Sequence, residues 1–218
     1  TGTQKLVRNL TTAEIIGVQH AAQKAGVIAS VLYPRRAHPC VSAARRLIQA
    51  DTIGPLLTIE ARFLTTQVKF RTPSSWLFRR SQAGGGILLW LGCHCLDLLH
   101  YIPGDEIIEV GALLATGSGE AIDVEDTAAL TLKFRSGVIG TFHAGYTLAY
   151  SGEGYVNLAG YDSYLGFNGR AGRVVWRHSL LHYVQGDGPL VHFRHPRRFR
   201  RRGGLRRSVG QSRGCRRR

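Results

Sequence analysis

The chain of 218 residues has no methionine, four cysteines and, after residue 193, neither an acidic residue nor a lysine. Each scarcity excludes something. Cys93 and Cys95 are two apart, so on a helix they point in different directions and cannot clamp one ion. Cys40 and Cys215 stand far from them, which leaves no paired ligand spacing for zinc and no disulfide framework. These cysteines read as reduced thiols. No apolar run reaches the roughly 18–20 residues needed to cross a bilayer. The N-terminus lacks the basic segment and apolar run of a secretory signal. A cytoplasmic, soluble protein with no membrane partner is therefore expected. A chain that opens on Thr1 and holds no methionine is also expected to be a fragment of a longer product.

The formal net charge of +15 is unevenly placed. Of the 29 basic residues, 12 are arginines in residues 194–218, which leaves 17 basic and 14 acidic residues, a net of +3, upstream. The body is thus nearly neutral, with an arginine tail. The tail admits three readings: a non-specific nucleic-acid-binding arm that pairs arginine with phosphate, a solvated segment without a partner, or out-of-frame translation. The last would account for arginine without lysine and for the loss of hydrophobic periodicity after about Tyr183.

Periodicity in the body predicts helices first and strands later. Thr11 and Glu14 have capping-box spacing, and Ile15, Val18, Ala22 and Ala25 follow at helical intervals up to Gly26. Residues 27–33 read as a short apolar strand. Pro39 opens a helix with Val41, Ala44 and Ile48 on its inner face. Leu57, Ile59, Ala61 and Phe63 alternate with polar residues as a half-buried strand. Residues 75–81 suggest a short helical turn, and residues 86–101 a helix apolar all round and so buried. Strands follow over 108–114 and 130–134, then a tight turn at Arg135-Ser136-Gly137 into a strand over 138–146, with weaker strands near 154–160, 163–168 and 172–177. This order predicts an α+β fold: a largely antiparallel open sheet with helices packed on one face.

The helix over 86–101 carries the functional question. Trp90, His94, Asp97 and Tyr101 fall on one helical stripe among leucine, isoleucine, cysteine and glycine. A buried imidazole and a buried carboxylate each cost several kcal/mol, roughly, unless partnered. Either the two satisfy each other as a structural polar pair, or the stripe lines a pocket where His94 exchanges a proton with substrate. Other histidines (His38, His100, His143, His182) read as ordinary polar positions, and Asp123, Glu125 and Asp126 as a solvated acidic loop. Ser74 and Ser75 lack the context of a hydrolase nucleophile.

Residues 84–97, GGGILLWLGCHCLD, resemble the signature helix G-G-G-x-L-x-D-x-G-x-H-x-x-D of the Gfo/Idh/MocA oxidoreductases. Trp76, the segment Tyr33-Pro34-Arg35-Arg36-Ala37-His38-Pro39 and Val124-Glu125-Asp126-Thr127 extend the resemblance, which covers about residues 5–176. It implies a sugar, polyol or related secondary alcohol as small-molecule substrate, NAD or NADP as hydride carrier, and self-association through the open sheet. It implies His94 as acid/base, Lys5 (in Thr3-Gln4-Lys5, a degraded E-K-P) as polariser of the oxygen, and Asp97 as orienter of His94 or substrate ligand. Trp90, Tyr101, Tyr33 and Arg36 would border the substrate, and Trp76 would contact the cofactor. Trp90 stands where the family has aspartate, and Leu77 where arginine follows the tryptophan. No strand leads into a G-x-G-x-x-G loop, so residues 1–33 read as the remnant of a dinucleotide-binding domain, 34–180 as the substrate and oligomerisation domain, and 181–218 as the basic tail. Such a chain is expected to be inactive alone. The competing expectations are a stand-alone ligand- or partner-binding module and nucleic-acid binding through the tail.

Overall fold

The computed structural model describes residues 11–65, 74–146, 161–177, 180–186, 188 and 191–194. Helix α1 (Thr12–Lys24) begins at a reciprocal capping box: the Thr11 N–H donates to Glu14 Oε2 at 2.8 Å and the Glu14 N–H to Thr11 Oγ1 at 3.3 Å. Its apolar residues Ile15, Ile16 and Val18 are nevertheless exposed. The expected strand over 27–33 does not form. A β-branched run becomes a strand only beside another strand, none of the described ones pairs with it, and Ile28 is 97% exposed.

Pro34–Ala37 is a 3₁₀ turn, and His38 caps helix α2 (Pro39–Gln49), its Nδ1 accepting the Cys40 N–H at 3.2 Å. Helix α2 buries Cys40, Val41, Ala43 and Ala44. Strand β1 (Leu56–Thr65) follows, with Ile59, Ala61 and Phe63 buried as their alternation predicts. A 3₁₀ turn (Trp76–Phe78) and the short helix α3 (Arg80–Ala83) lead to a π-helical turn (Leu88–Gly92) that continues into helix α4 (Cys93–Tyr101).

Strands β2 (Ile107–Ala115), β3 (Thr127–Phe134), β4 (Ile139–Gly145), β5 (Tyr161–Gly169), β6 (Gly172–Arg177), β7 (Leu180–Gln185) and β8 (Val191–Arg194) complete an eight-stranded sheet of order β2-β3-β4-β1-β5-β6-β7-β8. Only the central β1–β4 pair is parallel. The architecture is the expected α+β one. The β3–β4 hairpin turns at Gly137, whose φ of 93° suits glycine. The strand expected near 154–160 lies outside the described residues. Strands β7 and β8 carry the sheet past residue 180, into the stretch assigned to the tail; from residue 195 on, the tail lies outside the described residues.

The core lies between the helices and one sheet face, built from Phe63, Phe134, Phe142, Phe167, Leu98, Leu99 and Ile102. Gly92 brings the helix over β4, where a Cβ would already touch the Phe142 ring at 3.4 Å. The run Arg80–Tyr101 is, by length and mean hydropathy, long and apolar enough to cross a bilayer, contrary to the shorter run expected. Half of it is buried in this fold, the position of a core helix. The opposite sheet face is open and, around β1 and β5, polar: Arg62 pairs with Asp162 at 2.7 Å, the Tyr164 hydroxyl donates to Glu60 at 3.2 Å, and Asn168 donates to Thr58 at 2.9 Å. The open face is thus polar there. Exposed apolar residues gather instead on edge strand β2, at Ile108, Val110, Leu113 and Leu114.

Candidate functional site on the π–α helix

The helix is anchored at its glycine-rich start. Gly84 ends α3 with φ 77°, and a Cβ on Gly86 would lie 1.8 Å from the Glu125 carbonyl oxygen. That approach lets the Ile87 N–H donate to the Glu125 carbonyl at 3.0 Å while the Leu88 N–H donates to Glu125 Oε1 at 3.3 Å. One acidic residue thereby satisfies two of the helix's unpaired N–H groups and sets negative charge at its positive end. Glu125 and Asp126 are buried, which corrects the reading of this stretch as a solvated loop. Asp126 accepts hydrogen bonds from the Gly117 and Ser118 N–H groups and from the Thr127 hydroxyl. Burial raises its pKa, but the bonds from Ser118, Gly117 and Thr127 outweigh that and hold it below the usual carboxylate range.

The π turn widens the helix just before His94, so Trp90 and His94 are not related by ordinary i, i+4 geometry. Trp90 meets Trp76 edge to face, with ring centroids 5.9 Å apart. His94 meets Tyr33 edge to face, also at 5.9 Å. Asp97 is bound by Arg36: Nε lies 2.9 Å from Oδ2 and 3.1 Å from Oδ1, and Nη2 also contacts Oδ1. The Asp97 side chain is 6% exposed. The Arg36 guanidinium lies over the rings of Tyr101 at 4.7 Å and Tyr33 at 5.5 Å, and Arg45 also lies over Tyr101, at 4.3 Å.

Tyr33, Arg36, His94, Asp97 and Tyr101 thus form one continuous set, with Trp76 and Trp90 paired a turn away. Lys5 lies outside the described residues. No hydrogen bond joins His94 to Asp97; the carboxylate is taken by Arg36, so the two do not form a mutual pair. His94 Nδ1 is buried and has no hydrogen-bond partner among the described residues. Burial, and then the charge of Arg35, lower the His94 pKa below the ordinary imidazole value, with Asp97 opposing. The imidazole is therefore neutral near neutral pH and able to accept a proton. Glu125 and Arg45 were not picked out from sequence. In sequence Glu125 is one acidic residue of a loop and only its contact with Gly86 gives it a role, while nothing distinguishes Arg45 from Arg46 before folding.

The fold and site define an α+β domain in which a helix backed by the sheet carries a cluster of aromatic and charged side chains. The GFO/IDH/MocA C-terminal domain model matches residues 41–175, and the chain belongs to that family. It is 26% identical to levoglucosan dehydrogenase of Pseudarthrobacter phenanthrenivorans over 157 residues, covering 62% of this chain and 40% of the relative. It is 31% identical to trans-1,2-dihydrobenzene-1,2-diol dehydrogenase of Mus musculus over 137 residues, covering 61% and 38%. The crystal structure of an inositol dehydrogenase homologue from Azotobacter vinelandii, complexed with NAD+, shares the fold with a TM-score of 0.72 at 16% identity, covering 86% of this chain and 49% of that one. The chain therefore spans about two fifths of the length of these curated relatives.

Proposed function

We propose that this chain forms the substrate side of an NAD(P)-dependent oxidoreductase that acts on a sugar, polyol or related secondary alcohol. The observation that carries the reading is His94: a half-buried imidazole whose Nδ1 has no partner among the described residues, with a lowered pKa and an aromatic surround, at the histidine of the family's signature helix. In this role His94 takes the hydroxyl proton as the alcohol is oxidised and returns it on reduction. Asp97 and Arg36 act beside it as a fixed, mutually neutralised pair that holds Tyr33 and Tyr101 against the substrate. Lys5 would polarise the same oxygen.

A bound nicotinamide would supply the hydride acceptor. The glycines at 84, 85 and 86 do not fit its phosphates, because the Glu125 backbone already fills the space over Gly86. Trp76 is the residue here assigned to the cofactor's ring. The names of the relatives, a levoglucosan and a dihydrodiol dehydrogenase, support a cyclic alcohol, and the NAD+ in the inositol dehydrogenase homologue supports the carrier. The same proposal includes a cytoplasmic setting, with Cys40, Cys93 and Cys95 as free thiols, and a homo-oligomer through the polar open sheet face.

The test is His94→Gln in the protein that carries the nucleotide-binding half, read by formation of reduced nicotinamide. A loss of about 10²–10⁴ in kcat with little change in KM is expected for an acid/base residue. The 218-residue chain alone is expected to give no turnover, and robust turnover by it would refute this division of labour. A second reading rests on the 12 arginines of residues 194–218: non-specific nucleic-acid binding. It requires retention on DNA that falls steeply with salt and is lost when those residues are removed.

A further inference from the structure

The open face of the sheet, away from the His94 helix, carries a second cluster of charged side chains. Arg173, Val175 and Arg177 alternate onto that face along β6, and Tyr164 stands across from Arg177 on β5. Three guanidinium groups meet at this one tyrosine. Arg177 lies over its ring at 5.2 Å and Arg62 at 5.7 Å, while Arg173 Nη2 contacts its hydroxyl. The acids beside them are two. Asp162 holds Arg62 at 2.7 Å. Glu60 stands 3.4 Å from Arg173 and also accepts from the Tyr164 hydroxyl at 3.2 Å and from Asn168 at 3.4 Å. Arg177 has no acidic partner among the described residues. Arg62 is therefore tied by a short contact, Arg173 by a long, shared one and Arg177 by a ring alone. Together they border a hollow of about 540 Å³, which Val175 and Val184 also line. That is the size of a small-molecule site.

A guanidinium stacked on a ring still presents its N–H fork at the edge, in the geometry that matches an oxyanion. Two such forks with positive charge in excess suit a doubly charged group, and the two valines suit an organic body behind it. We propose that this hollow binds a small phosphate monoester, with Arg177 and Arg173 as the ligands of its phosphate and Tyr164 holding both guanidinium groups in place. Arg62 stays with Asp162. The site lies on the opposite sheet face from His94, so the inference stands apart from the oxidoreductase reading. A second copy laid over the same face would enclose it, and oligomeric state is therefore read alongside binding.

Calorimetric titration of the full chain with phenyl phosphate tests this, at fixed ionic strength. The arginines of residues 194–218 also attract anions, so the reading is the difference between variants that share them. The natural chain is expected to bind phenyl phosphate saturably. Arg177→Gln and Arg173→Gln, shown to be folded by circular dichroism, are each expected to weaken binding at least about tenfold, the loss of one charge-assisted fork. Lys133→Gln makes the same change of charge on a strand away from the hollow, where the lysine pairs with Glu109 at 3.3 Å, and is expected to leave binding unchanged. Benzoate, with a single charge, is expected to bind at least about tenfold more weakly than phenyl phosphate. No saturable binding, equal losses in Arg177→Gln and Lys133→Gln, or benzoate bound as tightly would overturn the proposal. So would sedimentation of Arg177→Gln as a smaller species with phenyl phosphate binding intact, because the arginine would then belong to a contact between copies.

Discussion

His94 binds its proton less readily in the fold than in the unfolded chain, where it titrates near about 6.5. The unfolded state therefore takes up protons first as pH falls. The stability His94 contributes is complete above its unfolded pKa and is lost as pH drops through the lower folded value. Urea unfolding at about pH 7.5 and about pH 5.5 is expected to show a larger loss for the natural chain than for His94→Gln. The Arg36–Asp97 pair poses a different residue-scale problem. Arg36 is half exposed while Asp97 is nearly enclosed, so removing the arginine strands a carboxylate. Arg36→Ala is expected to cost about 1–3 kcal/mol in denaturant unfolding, below the range for a fully buried pair. Arg36→Lys should recover only part of it, because an ammonium cannot form the forked contact. The helical stripe of His94, Asp97 and Tyr101 was legible in sequence, and the family resemblance added Tyr33 and Arg36 as candidates. Which of them pair was not, because Arg36 and Asp97 are 61 positions apart and helical spacing speaks only to near neighbours.

At the scale of the element, the glycines at 85 and 86 look equivalent in sequence and are not. A methyl at Gly85 would meet the flexible end of the Leu89 side chain at 3.0 Å; one at Gly86 would meet the backbone of Glu125 at 1.8 Å. Gly85→Ala should change the melting temperature little, whereas Gly86→Ala should destabilise by at least about 3 kcal/mol because backbone must move. Comparing the two melting curves is the check; similar losses would contradict this account of the joint. Glu125→Ala should lose the helix cap without the clash, at about 1 kcal/mol. The extent of this helix, residues 86–101, was visible in its apolar run and in the glycines that open it. The π turn was not, because a hydrophobic run satisfies π and α periodicity alike when nearly every position is apolar.

For the whole molecule, the sheet decides where the domain ends. Leu181 on β7 is wholly buried, and β7 covers the edge of β6. A chain ended at residue 179 would lose β7 and β8, uncover that edge and open the core. It is expected to melt several degrees lower, since about 1 kcal/mol moves the melting point of a domain this size by roughly 2–4 °C. An unchanged melting point would place the boundary at 180 after all. The exposed apolar residues of α1 and of residues 27–32 belong to this scale too. Their helical and strand-like patterns were plain in sequence, yet no described element covers them.

The sequence alone determined the α+β class, the capping box at Thr11, the alternation of β1, the strands β3 and β4 with their tight turn, and the helix that bears His94. All of these depend on local periodicity or on residues a few positions apart. Tertiary structure decided that Asp97 belongs to Arg36, that Glu125 seats the helix against Gly86, that residues 27–33 are not a strand, and that β1 and β4 run parallel at the centre. Each of these depends on which distant segments meet, and that is set by packing across the sheet, not by the order of residues along one element.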